Sequence, residues 1–254
     1  MTLTRISAQV RREQFVEAAI KVMAREGLER ATTRRIAQEA GAPHGTFHYA
    51  FRDKNELLTE VVGAVTRQIE TILTEAVDPS RGLAAAIGDG LRAFWQHVIG
   101  DDGLQLMQYE LMIFSRRTAG YEWLAEWQYA RYISAALDVL RRGAEHEARP
   151  PRIDLADLAR FLVAATDGLV IQYEVTHDEQ ACRRQLEQVI RAGAVLAGVT
   201  PEGAGQGPVT EQAGGSGGSS PRASTGLEPS GPRGVAPPDQ HGALVEPGPG
   251  GAAP

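Results

Sequence analysis

A short stretch near residue 45 carries four hydrogen-bonding side chains that could read a nucleic acid. They are His44, Thr46, His48 and Tyr49, with Gly45 among them. Imidazole, hydroxyl and phenol groups donate or accept hydrogen bonds, which is the chemistry needed to meet base edges and phosphates in a major groove. A glycine in the same stretch would let the backbone approach a duplex closely.

Basic and hydroxyl side chains lie on both sides of this stretch. Thr33, Arg34 and Arg35 stand at the start of a predicted helix before it, and Lys54 stands at the start of another helix after it. Cationic side chains and free N–H groups at a helix start both favour an anion. We therefore expect these four residues to contact DNA, the two arginines through phosphates, with a solvated helix start as the alternative for the arginines.

Charge is distributed unevenly along the 254-residue chain. Residues 1–55 carry 10 Lys/Arg against 6 Asp/Glu, whereas residues 56–254 carry 16 against 26. Such asymmetry is typical of a basic contact module attached to an acidic body.

The elements that must position these side chains are two short helices and a tight turn. The first helix is predicted to begin at Thr32 or Thr33, where a hydroxyl can cap free N–H groups, and to end at Gly41. The second is predicted over residues 44–51. Apolar side chains would fix the angle between them: Ile36, Ala40, Ala42, Phe47 and Phe51. This spacing predicts a helix-turn-helix.

The remaining periodicity up to Thr200 is also helical. A first helix is predicted from Gln9 to Glu26, and a long fourth helix from an Asp53 cap to about Val77. Five more are predicted at roughly 81–99, 103–116, 119–147, 154–176 and 179–198. Residues 201–254 hold 14 of the 28 glycines and 10 of the 14 prolines, so a disordered tail is predicted over 200–254.

Three segments together resemble the DNA-binding domain of the TetR family of bacterial repressors: Thr32 to Gly41, Gly45 to Phe51 and Asp53 to Leu58. Phe15 to Gly27 is similar to that family's first helix, and His48 stands where the family usually has Tyr. The resemblance implies that Thr46 and Tyr49 contact phosphates or bases and that Lys54 grips a phosphate.

The same resemblance implies an all-α fold. A three-helix helix-turn-helix DNA-binding domain (1–55) would precede a helical-bundle domain for ligand binding and dimerisation (56–199). The implied function is a ligand-responsive transcriptional regulator, most often a repressor. It would bind a palindromic operator as a homodimer, and a small-molecule effector would release it.

The middle of the chain is rich in large side chains, as ligand pockets are, although such stripes are more often plain core. Glu110 lies between Met107 and Phe114 at helical spacing and is a candidate polar anchor. The predicted ligand contacts are Trp95, Met107, Glu110, Phe114, Trp123, Trp127, Phe161 and Tyr173. Small residues on the last two predicted helices, such as Gly168 and Gly193, together with large ones such as Phe161, suit a four-helix interface between two copies.

Other function classes find little support in the sequence. His44 and His48 could share a metal, but zinc needs about four ligands and no further His/Cys cluster is nearby, so neither metal nor cofactor is expected. With Cys182 alone, no apolar signal-peptide core and no long apolar run, we expect a cytoplasmic protein that does not bind a membrane. We predict no enzymatic activity. The alternatives are an all-helical enzyme acting on a small apolar molecule, or a sequence-indifferent DNA-binding protein.

Overall fold

Helices account for all the regular structure in residues 7–100 and 103–200, the parts of the chain that the computed structural model describes. The α-helices are α1 (Ala8–Glu26), α2 (Thr33–Glu39), α3 (Phe47–Ala50), α4 (Lys54–Ala76), α5 (Leu83–Gly100), α6 (Leu104–Arg117), α7 (Glu122–Ala144), α8 (Leu155–Thr176) and α9 (Glu179–Ala197). Single 3₁₀ turns occur at His44–Thr46 and Pro79–Arg81. The all-α prediction is confirmed. The predicted disordered tail lies outside the described residues, apart from Thr200.

Side-chain caps set the helix starts in the first quarter of the chain, which we call the head (residues 7–60). The Thr32 hydroxyl accepts the N–H of Arg35 at 3.1 Å, and the Asp53 carboxylate accepts the N–H of Glu56 at 2.9 Å. Gly41 ends the first helix of the pair with a φ of 61°, a left-handed conformation that glycine adopts without a Cβ clash. These are the positions that the sequence predicts for the helix-turn-helix.

Two apolar clusters form the interior. The first joins α1–α4 to α6 and includes Phe15, Ile36, Leu57 and Met107, each buried. The second joins α5, α7, α8 and α9 and includes the buried Cys182. Because burial raises the pKa of the Cys182 thiol, this side chain behaves as an ordinary core residue.

Five helices, α4–α8, surround a space between the two clusters. Phe94 on α5 packs against both clusters and lines this space. No described helix is both long enough and apolar enough to cross a bilayer. The division into residues 1–55, 56–199 and 200–254 stays a prediction, and α4 begins just before the first of its boundaries.

Candidate DNA interface and ligand cavity

Three phenylalanines hold the second helix of the helix-turn-helix in place. The ring of Phe15 on α1 meets Phe47 edge-on at 5.5 Å and Phe51 edge-on at 6.3 Å. All three rings are buried. Edge-to-face packing fixes ring orientation as well as distance. Because α3 is only four residues long, this anchor determines which of its side chains face outward.

The outward face carries the side chains predicted to read DNA. Tyr49 is 90% exposed, so its side chain lies outside the core. His44, Gly45 and His48 are exposed, and Thr46 is half-buried. The His44 ring nitrogen Nε2 shares a 3.1 Å hydrogen bond with the hydroxyl of Thr33, and the rings of His44 and His48 stack edge-on at 5.9 Å. These residues therefore form one polar surface.

The two arginines before this surface differ in their contacts. Arg34 is exposed. Arg35 donates to Glu26 at 2.6 and 3.0 Å and to Glu39 at 3.2 Å. Hydrogen bonds from Arg35 and then from Arg25 lower the pKa of Glu26. Arg35 thus ties α2 to the end of α1, and any phosphate would compete with these carboxylates for it.

Lys54 also makes an internal contact. Its Nζ donates to the backbone carbonyl of Leu28 at 3.1 Å, and partial burial lowers the pKa of the ammonium group. The side chain therefore joins the start of α4 to the loop after α1. Its predicted role as a phosphate contact stays a prediction.

Arg12 on α1 stabilises the head through contacts with α4, a role that its local sequence does not indicate. Its guanidinium donates to Glu56 at 3.0 Å, to Glu60 at 2.9 Å and to the carbonyl of Ala50, and it lies 4.3 Å from the ring centre of Phe51. The Arg52 backbone N–H and the Arg12 side chain lower the pKa of Glu56 to about 2. Its partners lie 38–48 residues away, so helical periodicity could not reveal them.

Glu110 on α6 joins the head to the rest of the chain. Its Oε2 accepts the backbone N–H of Leu28 at 2.7 Å, directly after the Gly27 that ends α1. Nearby, the start of α6 lies so close to α1 that a Cβ on Gly103 would overlap the carbonyl of Ala24. Glu110 was predicted as a ligand anchor, but the structure places it at this joint instead.

Removing the Glu110 carboxylate is expected to destabilise the protein. In Glu110→Ala the partly buried N–H of Leu28 loses its acceptor, which costs about 1–3 kcal/mol of unfolding free energy in urea denaturation. Glu110→Gln keeps an acceptor oxygen and should lose less. Glu126→Ala, at an exposed carboxylate on α7, is the matched control. Equal stability of the two alanine variants would contradict a structural role for the joint.

The space between the clusters is a cavity with an empty volume of about 880 Å³, which includes its opening to solvent. Most of its wall is apolar. The polar lining residues come from α6, α7 and α8: Gln105, Gln108, Tyr109, Gln128, Tyr129, Tyr132, Thr166 and Asp167. An apolar cavity with a few convergent polar groups is typical of a small-molecule site.

None of the eight predicted ligand contacts lines this cavity. Trp95 and Met107 are buried in the two clusters, Tyr173, Phe114 and Trp127 pack against those clusters, and Trp123 and Phe161 are exposed. One residue that does line the cavity could have been recognised in the sequence: Asp167 is a carboxylate within an apolar run. Gln105 and Gln108, three residues apart among apolar neighbours, are a second such signal.

Two hydrogen-bonded groups organise the polar part of the cavity. In one, the Tyr129 hydroxyl donates to Asp167 Oδ2 at 2.9 Å. In the other, Gln128 donates to the Tyr132 hydroxyl at 2.7 Å, and that hydroxyl donates to Gln108. Gln108 in turn donates to Gln105 at 3.1 Å. Burial raises the pKa of Tyr129 to about 12, so its hydroxyl stays a donor at neutral pH.

Comparison with known proteins supports the family resemblance seen in the sequence, both for the head and for the whole fold. The family model for "Bacterial regulatory proteins, tetR family" matches residues 15–61. The chain is 30% identical over 169 residues to the HTH-type nicotine-responsive transcriptional repressor HdnoR of Paenarthrobacter nicotinovorans. That match covers 66% of this chain and 86% of the relative.

Solved structures share the fold. A TetR transcription regulator from Haloarcula marismortui aligns with a TM-score of 0.61 at 16% identity, covering 75% of this chain and 97% of that one. The multidrug binding protein EbrR complexed with ethidium aligns with a TM-score of 0.54 at 22% identity, covering 71% and 97%.

Proposed function

Because this chain belongs to the TetR family of bacterial regulatory proteins, we propose that it represses transcription as a homodimer on a palindromic operator, from which a small-molecule effector releases it. Its match to the family model and its similarity to HdnoR identify it as a DNA-binding transcriptional regulator. We propose in addition that it represses transcription, binds its operator as a dimer, responds to an effector and is located in the cytoplasm.

The observation that carries the proposal is the placement of α6 between the head and the cavity. Gln105, Gln108, Tyr109 and Met112 on α6 line the cavity, and Glu110 on the same helix binds the loop after α1. A ligand that shifts α6 must therefore also act on the head. This contact gives a physical route for a coupling between the two sites.

A second route runs through α4, which begins in the head at Lys54. Ile69 and Leu73 further along the same helix line the cavity. Ligand binding would favour a conformer in which the two heads of a dimer are differently spaced. Ligand and DNA would then weaken each other's binding reciprocally, typically by about 1–3 kcal/mol.

A stripe on α8 supports the dimer. Phe161, Ile171 and Val175 are exposed at helical spacing, with Ala164 and Gly168 between them. From end to end, the stripe measures roughly 21 Å at 1.5 Å per residue. Val195 and Leu196 near the end of α9 are exposed as well. A two-fold copy that covers both helices would form a four-helix interface.

The name of HdnoR supports a small-molecule effector, because that relative is described as nicotine-responsive. The apolar cavity of this chain offers a site of suitable character. Repression is proposed on the same similarity, since HdnoR is a repressor.

Selection of bound sequences from a random DNA pool tests the proposal. We expect an approximate palindrome whose half-sites lie one helical turn apart or a multiple of it. Competition with random DNA should then show a specificity of at least about 1000-fold. Equal affinity for selected and random DNA would instead identify a sequence-indifferent DNA-binding protein, and turnover of a small molecule in the cavity would identify an enzyme.

A further inference from the structure

Asp167 places a carboxylate on the wall of the cavity without a cationic partner. The described residues that line the cavity include no Lys, Arg or His. The hydroxyl of Tyr129 is the one side-chain donor that the structure gives this carboxylate within residues 7–100 and 103–200. Burial raises the pKa of Asp167, which reflects the cost of keeping its charge away from water. A positive charge within the cavity would offset that cost.

Aromatic rings surround the same part of the cavity. Tyr109, Tyr129 and Tyr132 all line it, and the centres of the last two rings are 6.0 Å apart. The Tyr109 hydroxyl lies 3.4 Å from the backbone carbonyl of Asp167, which brings that ring to the carboxylate-bearing turn of α8. The faces of aromatic rings attract ammonium and other organic cations. Carboxylate and rings thus favour the same kind of ligand.

The other polar group of the cavity has one unused donor. Gln105 accepts from Gln108 through its oxygen, but its buried Nε2 has no acceptor among the described residues. An unpaired buried donor is costly, and a ligand acceptor atom would satisfy it. The rest of the wall is apolar and suits a hydrocarbon body.

We propose that the cavity selects a small organic cation, a substituted ammonium with an aromatic or alkyl body, whose charge lies against Asp167 and the tyrosine rings. This inference rests on the proposed function, since it names the class of its effector. Asp167 is the residue that makes the cavity bind a cation more tightly than a neutral molecule of the same shape.

Two pairs of isosteres test the inference in calorimetric titrations of the full chain without DNA. Phenyltrimethylammonium is compared with tert-butylbenzene, and benzyltrimethylammonium with neopentylbenzene. Each pair differs only in nitrogen against carbon at the branching atom. At least one cation is expected to bind at least about tenfold more tightly than its neutral isostere.

The variant Asp167→Asn keeps an oxygen that can accept from Tyr129 but removes the charge. It should lose the preference for the cation by about tenfold or more and bind the neutral isostere as well as before. Asp138→Asn removes a charge of the same type from an exposed position on α7 and should leave both affinities unchanged. The comparison of isosteres on the unaltered chain stands even if Asp167→Asn fails to fold.

Equal binding of cation and isostere, preferred binding of the neutral compound, or no binding of either cation would each overturn the inference. None of these outcomes touches the proposed DNA binding, which the random-pool selection measures separately. Conversely, a cation that binds through Asp167 but leaves operator affinity unchanged would support the inference and contradict release by an effector.

Discussion

Ile171→Asp is expected to convert the protein into a monomer and to lower its operator affinity by roughly 100-fold or more. Ile171 lies within the exposed apolar stripe on α8 and is 51% exposed in the single chain. If a second copy covers it, the variant places two unpaired carboxylates in the interface, one from each copy, and each costs several kcal/mol. Without the dimer, one head binds one half-site, so the contacts of the other half-site are lost.

Sedimentation velocity measures the first effect, and gel shifts on the selected operator measure the second. Ile113→Asp on α6 is the matched control, because Ile113 is 48% exposed and lies outside the α8 stripe. It should leave both the mass and the affinity unchanged. If Ile171→Asp stays a dimer with the operator affinity of the unaltered chain, the proposed interface is wrong.

The head could be predicted from the sequence because its structure depends on local signals. A hydroxyl at Thr32, a glycine at Gly41 and a carboxylate at Asp53 each act within three or four residues, and the structure has all three in the predicted roles. The outward position of Tyr49 follows from them, since Phe47 and Phe51 face the interior.

The cavity could not be predicted in this way because its lining depends on how the helices turn about their axes in the packed structure. Tyr109 lines the cavity and Glu110 binds Leu28, although the two residues are adjacent and differ by only about 100° around α6. An apolar spacing shows that a helix has a buried face, but several faces of α6 are buried against different partners.

A similar ambiguity applies to α8, which has two apolar faces. Leu162, Val163 and Thr166 line the cavity, whereas Phe161 belongs to the exposed stripe. Periodicity does not tell whether an apolar face meets the same chain or a second copy. Phe161 was therefore predicted in both roles, as a ligand contact and as part of an interface between two copies, and its exposed position fits the second.

Tyr49→Ala is expected to lower operator affinity by roughly 30-fold or more while leaving thermal stability unchanged. The side chain is 90% exposed and contributes little to the core. Its hydroxyl and ring lie on the surface formed by His44, Gly45 and His48, where contacts to bases or phosphates are proposed. Loss of one such contact costs about 1–3 kcal/mol, and a dimer loses it twice.

Tyr49→Phe separates the two parts of the side chain. If the hydroxyl donates to a phosphate or a base, Tyr49→Phe loses most of the operator affinity that Tyr49→Ala loses. If the ring instead packs on the duplex, Tyr49→Phe keeps its operator affinity. Trp123→Ala, at another exposed aromatic residue, is the control and should leave operator affinity unchanged. Phe47→Ala, at a buried core position close to Tyr49, should instead lower the free energy of unfolding by about 3–5 kcal/mol. Comparing the two variants therefore separates the loss of a DNA contact from the loss of stability. An unchanged affinity in Tyr49→Ala, with the head still folded, would remove α3 from the DNA interface.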